Sequence, residues 1–473
     1  MYSLPMQEFN HQTFISPFTW RYGSEAMRRI FSEVHKRTLL RTIWIALARA
    51  QMQVGLVTEE QLAELEATKD RIDIARATQI ESEIHHDLMA EIHTWAEQCP
   101  NGGKIIHLGA TSMDVLDNMD ALRLTEALDL TISKTRELLI LFKEKMEAYR
   151  ELPTMAFTHI QPAEPSTVGY RFAQSAQDLK EDLEELIRVR SSIRGKGMKG
   201  AVGTAASYAQ LLEGTGLTAI KLEEAVMEEI GLAAYTASTQ IYTRKQDLRV
   251  AHALSGLAAT LSKFFFDFRI LMSPPIGEWS EYFASKQVGS SAMPFKRNPI
   301  NSEKINSLCR LVSTHVDLFW QNAATTVLER SLDDSANRRI AIPEIFLATD
   351  EILVTAIRTV GRMTVHEEAV GRNLNAYGLF AASERLLMEL GRRGADRQAM
   401  HELIRNHSLK AWEAVRSGKE NPLAKSLSRD KTVLAFVTEE EVLEFLKVEA
   451  YIGDAVLRTT MVAKEIDAFL NRD

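Results

Sequence analysis

The sequence predicts an all-α fold built around a bundle of long helices. Apolar residues recur at steps of three and four over long stretches of the chain. In one such stretch the apolar positions are Val168, Phe172, Ala176, Leu179, Leu183 and Leu186. This spacing places them on one face of an α-helix, whereas a half-buried strand would alternate apolar and polar residues. We find no convincing alternation of that kind in the sequence, so helices are the predicted elements.

Five segments carry the helical pattern over the greatest length: 115–151, 168–193, 243–273, 300–327 and 341–364. At about 1.5 Å per residue, several of these helices would exceed roughly 35 Å. Helices of this length that are joined by short loops pack as a near-parallel bundle. Many of them have apolar residues on more than one face, which predicts burial inside an oligomer.

Loops divide the predicted helices into three domains. Residues 1–111 hold shorter helices and end in the turn NGGKIIHLGATS, and residues 112–364 form the long-helix core. Residues 365–473 return to shorter helices, which are interrupted by GRRGAD and SGKENP. We therefore predict an N-terminal helical domain, a central bundle and a C-terminal helical domain.

Composition excludes several classes of protein. Lys and Arg total 56 against 64 Asp and Glu, and this net charge of −8 has the wrong sign for a general binder of nucleic acid or membrane surfaces. The two cysteines, Cys99 and Cys309, cannot form a disulfide framework or a zinc cluster. The first residues, MYSLPMQEFNHQTF, lack the pattern of a signal peptide, and no uncharged apolar stretch approaches the roughly 18 residues that span a bilayer. We predict a cytoplasmic protein.

The most informative segment is residues 289–299, which read GSSAMPFKRNP. Gly289 permits backbone conformations closed to other residues, while Pro294 and Pro299 fix φ and remove donors. The segment is therefore predicted to be an irregular loop that presents two hydroxyls, two cations and an amide. Such a loop suits a multiply charged anion held close to a hydroxyl. The alternative from the residues alone is a solvated basic turn.

A second glycine-containing segment, RGKGMKG, fits the pattern G-x-G-x-x-G through Gly195, Gly197 and Gly200. That pattern indicates a dinucleotide site only between a strand and a helix of a βαβ unit. Here a long predicted helix precedes it. We therefore predict a mobile or tight connection, and no dinucleotide cofactor.

The histidines favour acid–base chemistry over metal binding. A metal site would need two imidazoles four residues apart on a helix, or the pattern H-E-x-x-H, and neither occurs, so no metal is predicted. For a single histidine, structural hydrogen bonding is the commoner role. His159 differs because it lies between Thr158 and the turn PAEP, ahead of a long predicted helix. On such a helix-entry loop an imidazole can act as an acid or base near neutral pH.

Segments along nearly the whole chain resemble, in the same order, those of the adenylosuccinate lyase family in the fumarase/aspartase superfamily. These segments are WRYGSEAM, HHDLMAEIH, HLGATSMDVLDN, FTHIQPAEPSTVG, STQIYTRK, GSSAMPFKRNP and LERSLDDSANRR. The GSSAMPFKRNP loop alone would indicate only the superfamily, whereas TQIYTRK and DDSANRR narrow the resemblance to the family. The resemblance implies β-elimination of fumarate from a nitrogen without a cofactor. The implied small-molecule substrates are adenylosuccinate, which gives AMP, and succinylaminoimidazole carboxamide ribotide, which gives the free carboxamide ribotide.

The resemblance also implies roles for particular residues. Ser290 matches the family's general base, and His159 matches the general acid that protonates the departing nitrogen. His86 matches a second histidine that supports binding. Lys296 and Asn298 lie in the loop of the base, where they would stabilise the charge that develops on the substrate carboxyl.

Further residues fall on the family's substrate-binding positions. They are Arg21, Tyr22, His85, Asp87, Thr111, Ser112, Thr158, Gln240, Asn298, Lys304, Arg330, Ser335 and Arg339. Lys304 stands where the animal-type enzyme has an arginine, so it keeps the charge and loses the bidentate fork. For the phosphate end of the substrate, the candidates are Arg21 and the pair Arg338–Arg339. The resemblance further implies a homotetramer whose active sites combine segments of different subunits.

Two alternatives remain at this point. One is another lyase or cycloisomerase of the superfamily that acts on a different succinyl or muconate acid. The other is a non-catalytic homologue, because superfamily members have been recruited as lens crystallins and a fold does not prove an activity. Such a homologue could lose Ser290, His159 or Lys296 and keep its fold, but all three are present here.

Overall fold

The computed structural model describes residues 12–471, and helices dominate it. Within that range the α-helices are α1 (Glu25–Ile30), α2 (Glu33–Met52), α3 (Glu59–Thr68), α4 (Ile74–Ile84), α5 (Asp87–Gln98), α6 (Ser112–Ala148), α7 (Val168–Ser191), α8 (Ala206–Leu211), α9 (Ala219–Glu229), α10 (Lys245–Met272), α11 (Ile300–Thr325), α12 (Ser335–Arg362), α13 (Glu367–Arg392), α14 (Arg397–Arg416), α15 (Leu423–Leu427), α16 (Glu439–Phe445) and α17 (Ala455–Leu470). The predicted all-α fold class is confirmed. Most of the N-terminal segment from which a signal peptide was excluded, residues 1–11, lies outside the described range.

The five longest predicted helices correspond to α6, α7, α10, α11 and α12. Most of their ends fall within about three residues of the predicted ones. The largest difference is the start of α12, which begins at Ser335 and continues through Pro343 in its third turn. Proline removes one backbone donor there without ending the helix. Over residues 12–471, no helix combines the length and the apolar character that a membrane span needs.

Two strand pairs accompany the helices. They are the antiparallel pairs β1 (Pro153–Thr158) with β2 (Gln161–Thr167), and β3 (Trp279–Ser280) with β4 (Thr364–Val365). By its internal contacts the chain forms two compact units. The first unit comprises residues up to 135, 182–259 and 307–354, and the second comprises 136–181, 260–306 and the residues from 355 onward. The three-domain division derived from the loops stays a prediction.

In the first unit, helix α2 is buried along most of its length and carries an internal cation. Arg41 is fully buried, and its Nε donates to Glu91 on α5 at 2.9 Å. Its Nη1 donates to the carbonyl of Thr68 at the end of α3, and its guanidinium lies 5.0 Å from the ring of Trp95. Arg41 therefore fixes α3 and α5 against α2.

The glycine-containing loop after α7 wraps around a carboxylate of α6. Gly197 and Gly200 have positive φ angles of 85° and 69°. The backbone N–H groups of Lys199 and Gly200 both donate to the carboxylate of Asp114 at 3.1 Å. Successive N–H groups that converge on one anion form an anion-binding nest. The sequence predicted either a mobile or a tight connection here, and the structure shows a tight one. The anion that the loop binds is the protein's own carboxylate, Asp114.

Three further donors complete the surroundings of this carboxylate. The ammonium of Lys196 pairs with Asp114, and both side chains are fully buried. The hydroxyl of Tyr208 donates to Asp114 at 3.2 Å, and the backbone N–H of Thr111 donates at 3.0 Å. Because Thr111 directly precedes α6, this cluster fixes the first turn of that helix.

In the second unit, aromatic side chains from α6, α7, α10 and β3 form the core around Phe264. The ring centroid of Phe264 lies 4.6 Å from that of Phe142 and 5.7 Å from that of Phe172. Phe172 in turn stacks on Trp279 with a centroid distance of 4.8 Å. These contacts bury Trp279 of β3, the last strand before the GSSAMPFKRNP segment.

The hairpin β1–β2 was not predicted, and the placement of His159 on a helix-entry loop is wrong. Thr158 pairs with Gln161, so His159 and Ile160 form the two-residue turn, with φ angles of 53° and 59°. Two consecutive positive φ angles are typical of a type I′ hairpin turn. Strand β2 was not predicted because its sequence, QPAEPST, contains two prolines. Proline lacks a backbone donor and occurs mainly in edge strands.

A buried carboxylate holds the hairpin in place. Glu278, which is fully buried, accepts hydrogen bonds from Thr154 of β1 at 3.3 Å and from Arg171 of α7 at 2.7 Å. Its other oxygen accepts a hydrogen bond from Asn373 of α13 at 3.0 Å. The position of the hairpin is therefore set by side chains from two helices.

The nest around Asp114 yields a stability prediction. Asp114→Asn should destabilise the protein by about 3–5 kcal/mol, because the neutral amide leaves the Lys196 ammonium buried without a counter-charge. The double variant Asp114→Asn/Lys196→Met should recover part of this loss. The matched control is Asp129→Asn, which removes an exposed pair between α6 and Arg190 and should cost no more than about 1 kcal/mol. Urea unfolding followed by circular dichroism measures all three, and equal losses at both aspartates would contradict the prediction.

Candidate active site

The predicted site residues divide between the two units. Those in the first unit are Arg21, Tyr22, His85, His86, Asp87, Thr111, Ser112, Gln240, Arg330, Ser335 and Arg339. Those in the second unit are Thr158, His159, Ser290, Lys296, Asn298 and Lys304. The first group has the composition of an anion-binding surface, and the second contains the residues with predicted proton-transfer roles.

The segment WRYGSEAM is anchored to α12 by its backbone. The N–H of Ser24 donates to the carboxylate of Asp350 at 2.5 Å, and a side chain on Gly23 would meet Leu347. Arg21 is exposed, and its guanidinium lies 5.8 Å from the ring of Tyr22. The two predicted binding residues are therefore held next to each other at the surface of the first unit.

Three consecutive predicted residues form the connection between α4 and α5. His85 ends α4 in the left-handed conformation, with a φ of 56°. His86 is the N-cap of α5, where its Nδ1 accepts a hydrogen bond from the backbone N–H of Met89 at 3.3 Å. A neutral imidazole that accepts at Nδ1 carries its proton on Nε2. The capping contact therefore leaves His86 an Nε2–H donor for a neighbouring group.

Asp87 and Arg339 form an ion pair between the first turns of α5 and α12. The Arg339 Nη2 lies 2.8 Å from the Asp87 Oδ2, and the guanidinium is more than half exposed. Burial of Asp87 opposes ionisation, but the Arg339 charge outweighs it and lowers the pKa of this carboxyl. The structure thus brings together two of the predicted substrate-binding residues.

Arg338 is buried and binds groups inside the protein, which contradicts its predicted role at the phosphate end of the substrate. Its Nε donates to Asp247 at 2.8 Å, and its Nη1 donates to Asp120 at 3.2 Å. Its Nη2 donates to the hydroxyl of Tyr242 at 2.8 Å. The donors of a guanidinium lie in one plane, and here its three nitrogens bind groups of α6, α10 and the segment directly before α10. Arg338 therefore supports the fold, and Arg339 is the exposed member of the pair.

A second buried arginine links the same segments. The Nη1 of Arg244 donates to both oxygens of Asp117 at 3.1 Å, and its Nε donates to Asp334. Asp334 also accepts a hydrogen bond from the predicted binding residue Arg330 at 2.9 Å. The segments HLGATSMDVLDN, TQIYTRK and LERSLDDSANRR are therefore joined by one network of buried charges.

This network borders a cavity of about 140 Å³ in the first unit. Three predicted binding residues, Arg330, Ser335 and Arg339, line it. Lys36 of α2 also lines it, and this residue was not among the predicted site residues. In the sequence Lys36 is one of several basic residues of α2, and nothing in that context distinguishes it from a solvated lysine.

Two other predicted residues lie at the ends of elements in the first unit. Thr111 belongs to the cluster around Asp114, and Ser112 is the first residue of α6. The backbone N–H of Gln240 donates to the carbonyl of Glu329 at 3.2 Å, which places Gln240 beside the residue before Arg330.

In the second unit, the hydroxyl of Ser290 is held by its own loop. Its Oγ accepts hydrogen bonds from the backbone N–H groups of Ala292 at 3.3 Å and Met293 at 3.1 Å. The side chain of Asn298 donates to the carbonyl of Gly289 at 3.1 Å and so closes the loop. The segment is an irregular loop, as predicted, and its backbone amides point at the serine oxygen.

The same loop is exposed at its tip and anchored at its end. Lys296 is exposed, and Phe295 is 82% exposed. The carboxylate of Glu281 accepts hydrogen bonds from the backbone N–H groups of Asn301 and Ser302, at 3.2 and 2.8 Å, in the first turn of α11. Lys304 follows on the same helix and is half-buried.

His159 occupies the exposed tip of the β1–β2 hairpin. Thr158 and Ile160 beside it are also exposed, and Ile160 exposes 66% of its surface. Over residues 12–471 the His159 imidazole makes no hydrogen bond or ion pair. His159 is exposed, and its ring is therefore accessible from solvent.

The histidine of HLGATS has a structural role. The indole N–H of Trp44 donates to the Nδ1 of His107 at 3.1 Å, and burial lowers the pKa of His107 to about 4. The imidazole is therefore neutral at pH 7 and serves the packing of α2. In the described part of the chain, no cluster of three or more His, Cys, Asp or Glu side chains could hold a metal ion.

Comparisons with known proteins identify the family of this chain. Residues 20–313 match the lyase family, and residues 380–461 match the adenylosuccinate lyase C-terminus. The adenylosuccinate lyase of Schistosoma mansoni is 39% identical over 430 residues, which cover 90% of this chain and 89% of that protein. The adenylosuccinate lyase of Saccharomyces cerevisiae is 34% identical over 472 residues, with coverages of 98% and 95%. That of Pyrococcus horikoshii is 35% identical over 450 residues, with coverages of 93% and 95%.

Solved structures share the fold over almost the entire chain. The 3-carboxy-cis,cis-muconate lactonizing enzyme of Pseudomonas putida has a TM-score of 0.85 at 25% identity, covering 96% of this chain and 99% of that one. A fumarate lyase of Mesorhizobium sp. BNC1 has a TM-score of 0.81 at 21% identity, covering 93% and 98%, and shows the fold alone. The matches in sequence decide between the branches of this fold: the chain belongs to the adenylosuccinate lyase family.

Proposed function

We propose that this protein catalyses the β-elimination of fumarate from adenylosuccinate, giving AMP, and from succinylaminoimidazole carboxamide ribotide, giving the free carboxamide ribotide. Membership of the family supports a C–N lyase. The observation that carries the residue assignment is the contact of the Ser290 oxygen with two backbone amides of its own loop. The muconate enzyme shares the fold, but the curated adenylosuccinate lyases share the sequence over nearly full length.

The first step removes a proton from the carbon that lies α to a carboxylate and β to the leaving nitrogen. A serine hydroxyl is far too weak a base for this step unless its alkoxide is stabilised. Two N–H groups directed at Ser290 supply such stabilisation, since oriented amides bind an oxyanion without reorganising. The Ser290 hydroxyl first releases its proton to solvent, and the resulting alkoxide then takes the proton from the substrate carbon.

The electron pair left on the carbon is delocalised into the adjacent carboxyl, which then carries two negative charges. Lys296 and Asn298 follow Ser290 in the same loop and supply a cation and an amide donor for that group. Donors that contact the developing charge more strongly than the ground state accelerate the step. The C–N bond then breaks, its electrons remain on nitrogen, and the carbon pair forms the double bond of fumarate.

The departing nitrogen needs a proton, and we assign its delivery to His159. An imidazole at an exposed hairpin tip can be protonated from solvent and can reach a bound substrate without rearranging the core. His86 contributes in the proposal as a hydrogen-bond donor through Nε2, because its Nδ1 caps α5. Neither role requires a metal or an organic cofactor.

Substrate binding rests on recognition of anions. Two carboxylates and a phosphate monoester carry about four negative charges at pH 7. In this proposal Arg21, Arg330 and Arg339 hold these groups, and Lys304 provides a point charge where related enzymes use a guanidinium fork. Neutral donors come from the other predicted binding residues, which are Tyr22, His85, Thr111, Ser112, Thr158, Gln240 and Ser335, while Asp87 orients Arg339.

We further propose a cytoplasmic homotetramer in which each active site combines segments of different subunits. Exposed apolar side chains on three long helices support association: Phe266 on α10, Trp320 on α11 and Ile340 on α12 are each more than half exposed. Large apolar side chains in such positions favour burial against another chain. Shared sites would also explain why the predicted residues occur on segments that are far apart in the sequence.

The direct test is the fall in absorbance near the adenylosuccinate maximum when purified protein is added. Ser290→Ala should lower kcat by several orders of magnitude with little change in substrate binding, because it removes the base and not a binding contact. The control is Ser291→Ala, which changes the neighbouring hydroxyl and should stay close to wild type. Near-normal turnover in Ser290→Ala would refute the assignment of the base.

A second experiment tests the acid and the shared sites together. His159→Gln should be nearly inactive, and its residual activity should lack the limb of the pH–rate profile that reports the acid. Mixing inactive His159→Ala and Ser290→Ala proteins should restore part of the activity, because hybrid tetramers contain some intact sites. A fully active monomer in light scattering would contradict the tetramer.

A third experiment asks which end of the substrate Arg339 binds. Loss of one charge-assisted contact costs about 1.5–3 kcal/mol, so Arg339→Ala should lose roughly ten- to a hundred-fold in kcat/KM on adenylosuccinate. On the dephosphorylated nucleoside the same variant should resemble wild type. Arg188→Ala, which removes an exposed arginine paired with Glu185 on α7, serves as the control. Equal losses on both substrates would place Arg339 at the succinyl end.

A further inference from the structure

A single buried carboxylate joins the two ends of the loop that carries Ser290. Glu281 directly follows β3 and is 7% exposed. One of its oxygens accepts hydrogen bonds from the backbone N–H of Ser302 at 2.8 Å and from the hydroxyl of the same residue at 2.7 Å. The other oxygen accepts hydrogen bonds from the backbone N–H of Asn301 at 3.2 Å and from its side-chain amide at 2.8 Å. Residues 282–300 therefore form a loop that is closed at its base by one side chain.

The first turn of α11 explains why a carboxylate suits this position. The N–H groups of a first turn have no partner within their own helix, and the helix dipole favours a negative charge beside them. A carboxylate has only acceptor sites, so Glu281 can bind the backbone and side-chain donors of Asn301 and Ser302 together. An amide in its place would direct an NH2 group at one of these donors.

Hydrogen bonds continue from this anchor to the residue next to the proposed base. The backbone N–H of Ile300 donates to the carbonyl of Asn298 at 2.9 Å. The side chain of Asn298 donates in turn to the carbonyl of Gly289 at 3.1 Å. Gly289 packs so closely on the returning strand of the loop that a Cβ there would lie 2.1 Å from the carbonyl oxygen of Lys296. Residues 289–298 therefore form a compact ring, and its connection to α11 sets where that ring lies.

We propose that Glu281 is a positioning residue for the base: it holds the start of α11 against the end of β3 and thereby fixes the place of the Ser290 oxygen. This inference rests on the proposed function, in which Ser290 removes the proton. Glu281 itself takes no part in the proton transfers, because its oxygens are occupied by the donors of Asn301 and Ser302. A misplacement of about 1 Å at a reacting group can cost about a hundredfold in rate, so the loss of this anchor should appear in kcat.

A second carboxylate with similar contacts provides a matched control. Glu64 on α3 accepts hydrogen bonds from the backbone N–H groups of Asn101 and Gly102, both at 2.9 Å. It also accepts one from the side-chain amide of Asn101 at 3.1 Å. None of these three residues is a predicted site residue. Glu64→Gln therefore makes the same chemical change as Glu281→Gln at a place that carries no proposed catalytic group.

The test measures turnover of adenylosuccinate and binding of AMP by the intact protein. We expect Glu281→Gln to lower kcat about tenfold to a hundredfold, because the base is displaced from the substrate carbon. The Kd for AMP should stay within about threefold of wild type, since AMP lacks the succinyl group that the loop contacts in the proposed mechanism. Both limbs of the pH–rate profile should remain, because Glu281 is neither the acid nor the base. Glu64→Gln should match wild type in all three measurements.

Two further measurements separate positioning from a general effect on the fold. Ser302→Ala removes one of the hydrogen bonds to Glu281 and should lower kcat about threefold. In the Glu281→Gln background the same change should have a smaller effect, because residues that act through one contact are not additive. Hydrogen exchange of the amides in residues 289–298 should be faster in Glu281→Gln than in wild type, and Glu64→Gln should leave it unchanged.

Each contrary result overturns the proposal in a recognisable way. An unchanged kcat in Glu281→Gln would show that the anchor does not position the base. Equal losses of turnover and of AMP binding would show that Glu281 acts through the whole fold. If Glu281→Gln does not fold, a wild-type kcat in Ser302→Ala would overturn the proposal. Wild-type protein without adenylosuccinate turnover would refute the proposed function and the role of Glu281 with it, whereas an active wild type with an equally active Glu281→Gln would refute the role of Glu281 alone.

Discussion

Three carboxylates in the first turns of α6 organise the first unit. Asp114, Asp117 and Asp120 follow one another at intervals of three residues, so they project from the same side of the helix. Asp114 is bound by a backbone nest and Lys196, Asp117 by Arg244, and Asp120 by Arg338. All three are largely buried, and a buried charge is tolerated only with its counter-charge and hydrogen bonds in place. Segments that are distant in the sequence must therefore meet at α6, or the helix would leave unpaired charges in the interior.

The sequence predicted the helices well and the charge network not at all. The period of apolar residues depends on local geometry, and this is why the predicted bounds of α7 and α11 lie within two residues of the observed ones. The pairing of Asp114 with Lys196 joins residues 82 positions apart, and Arg338 with Asp120 joins residues 218 apart. Nothing in the local sequence of α6 distinguishes these aspartates from those of a solvated helix face. The hairpin carrying His159 was missed for a related reason, since its strands are defined by pairing with each other and not by an internal period.

The predicted site residues also differ in how far the sequence alone could indicate their surroundings. Ser290, Lys296 and Asn298 were predicted as site residues because they lie in one short loop whose glycine and prolines indicate an irregular backbone. Arg338 and Arg339 are adjacent and identical in type, and only the three-dimensional structure separates the buried one from the exposed one. Lys36 is the opposite case, because its sequence context is ordinary and only the structure shows that it lines a cavity with Arg330, Ser335 and Arg339. A family resemblance can suggest roles for residues that recur in a motif. The residues that contact them in the folded protein can be identified only from the three-dimensional structure.

The contacts of the Ser290 oxygen also determine a direction. An sp³ oxygen has four tetrahedral positions, and in Ser290 one is the bond to Cβ and two accept the N–H groups of Ala292 and Met293. Only one position remains, and the hydroxyl proton must occupy it. When that proton leaves, the new lone pair points along the same line, because the other three positions are already filled. In the proposed mechanism the loop therefore directs the base as well as stabilising its charge, and a substrate carbon has one line of approach to this oxygen.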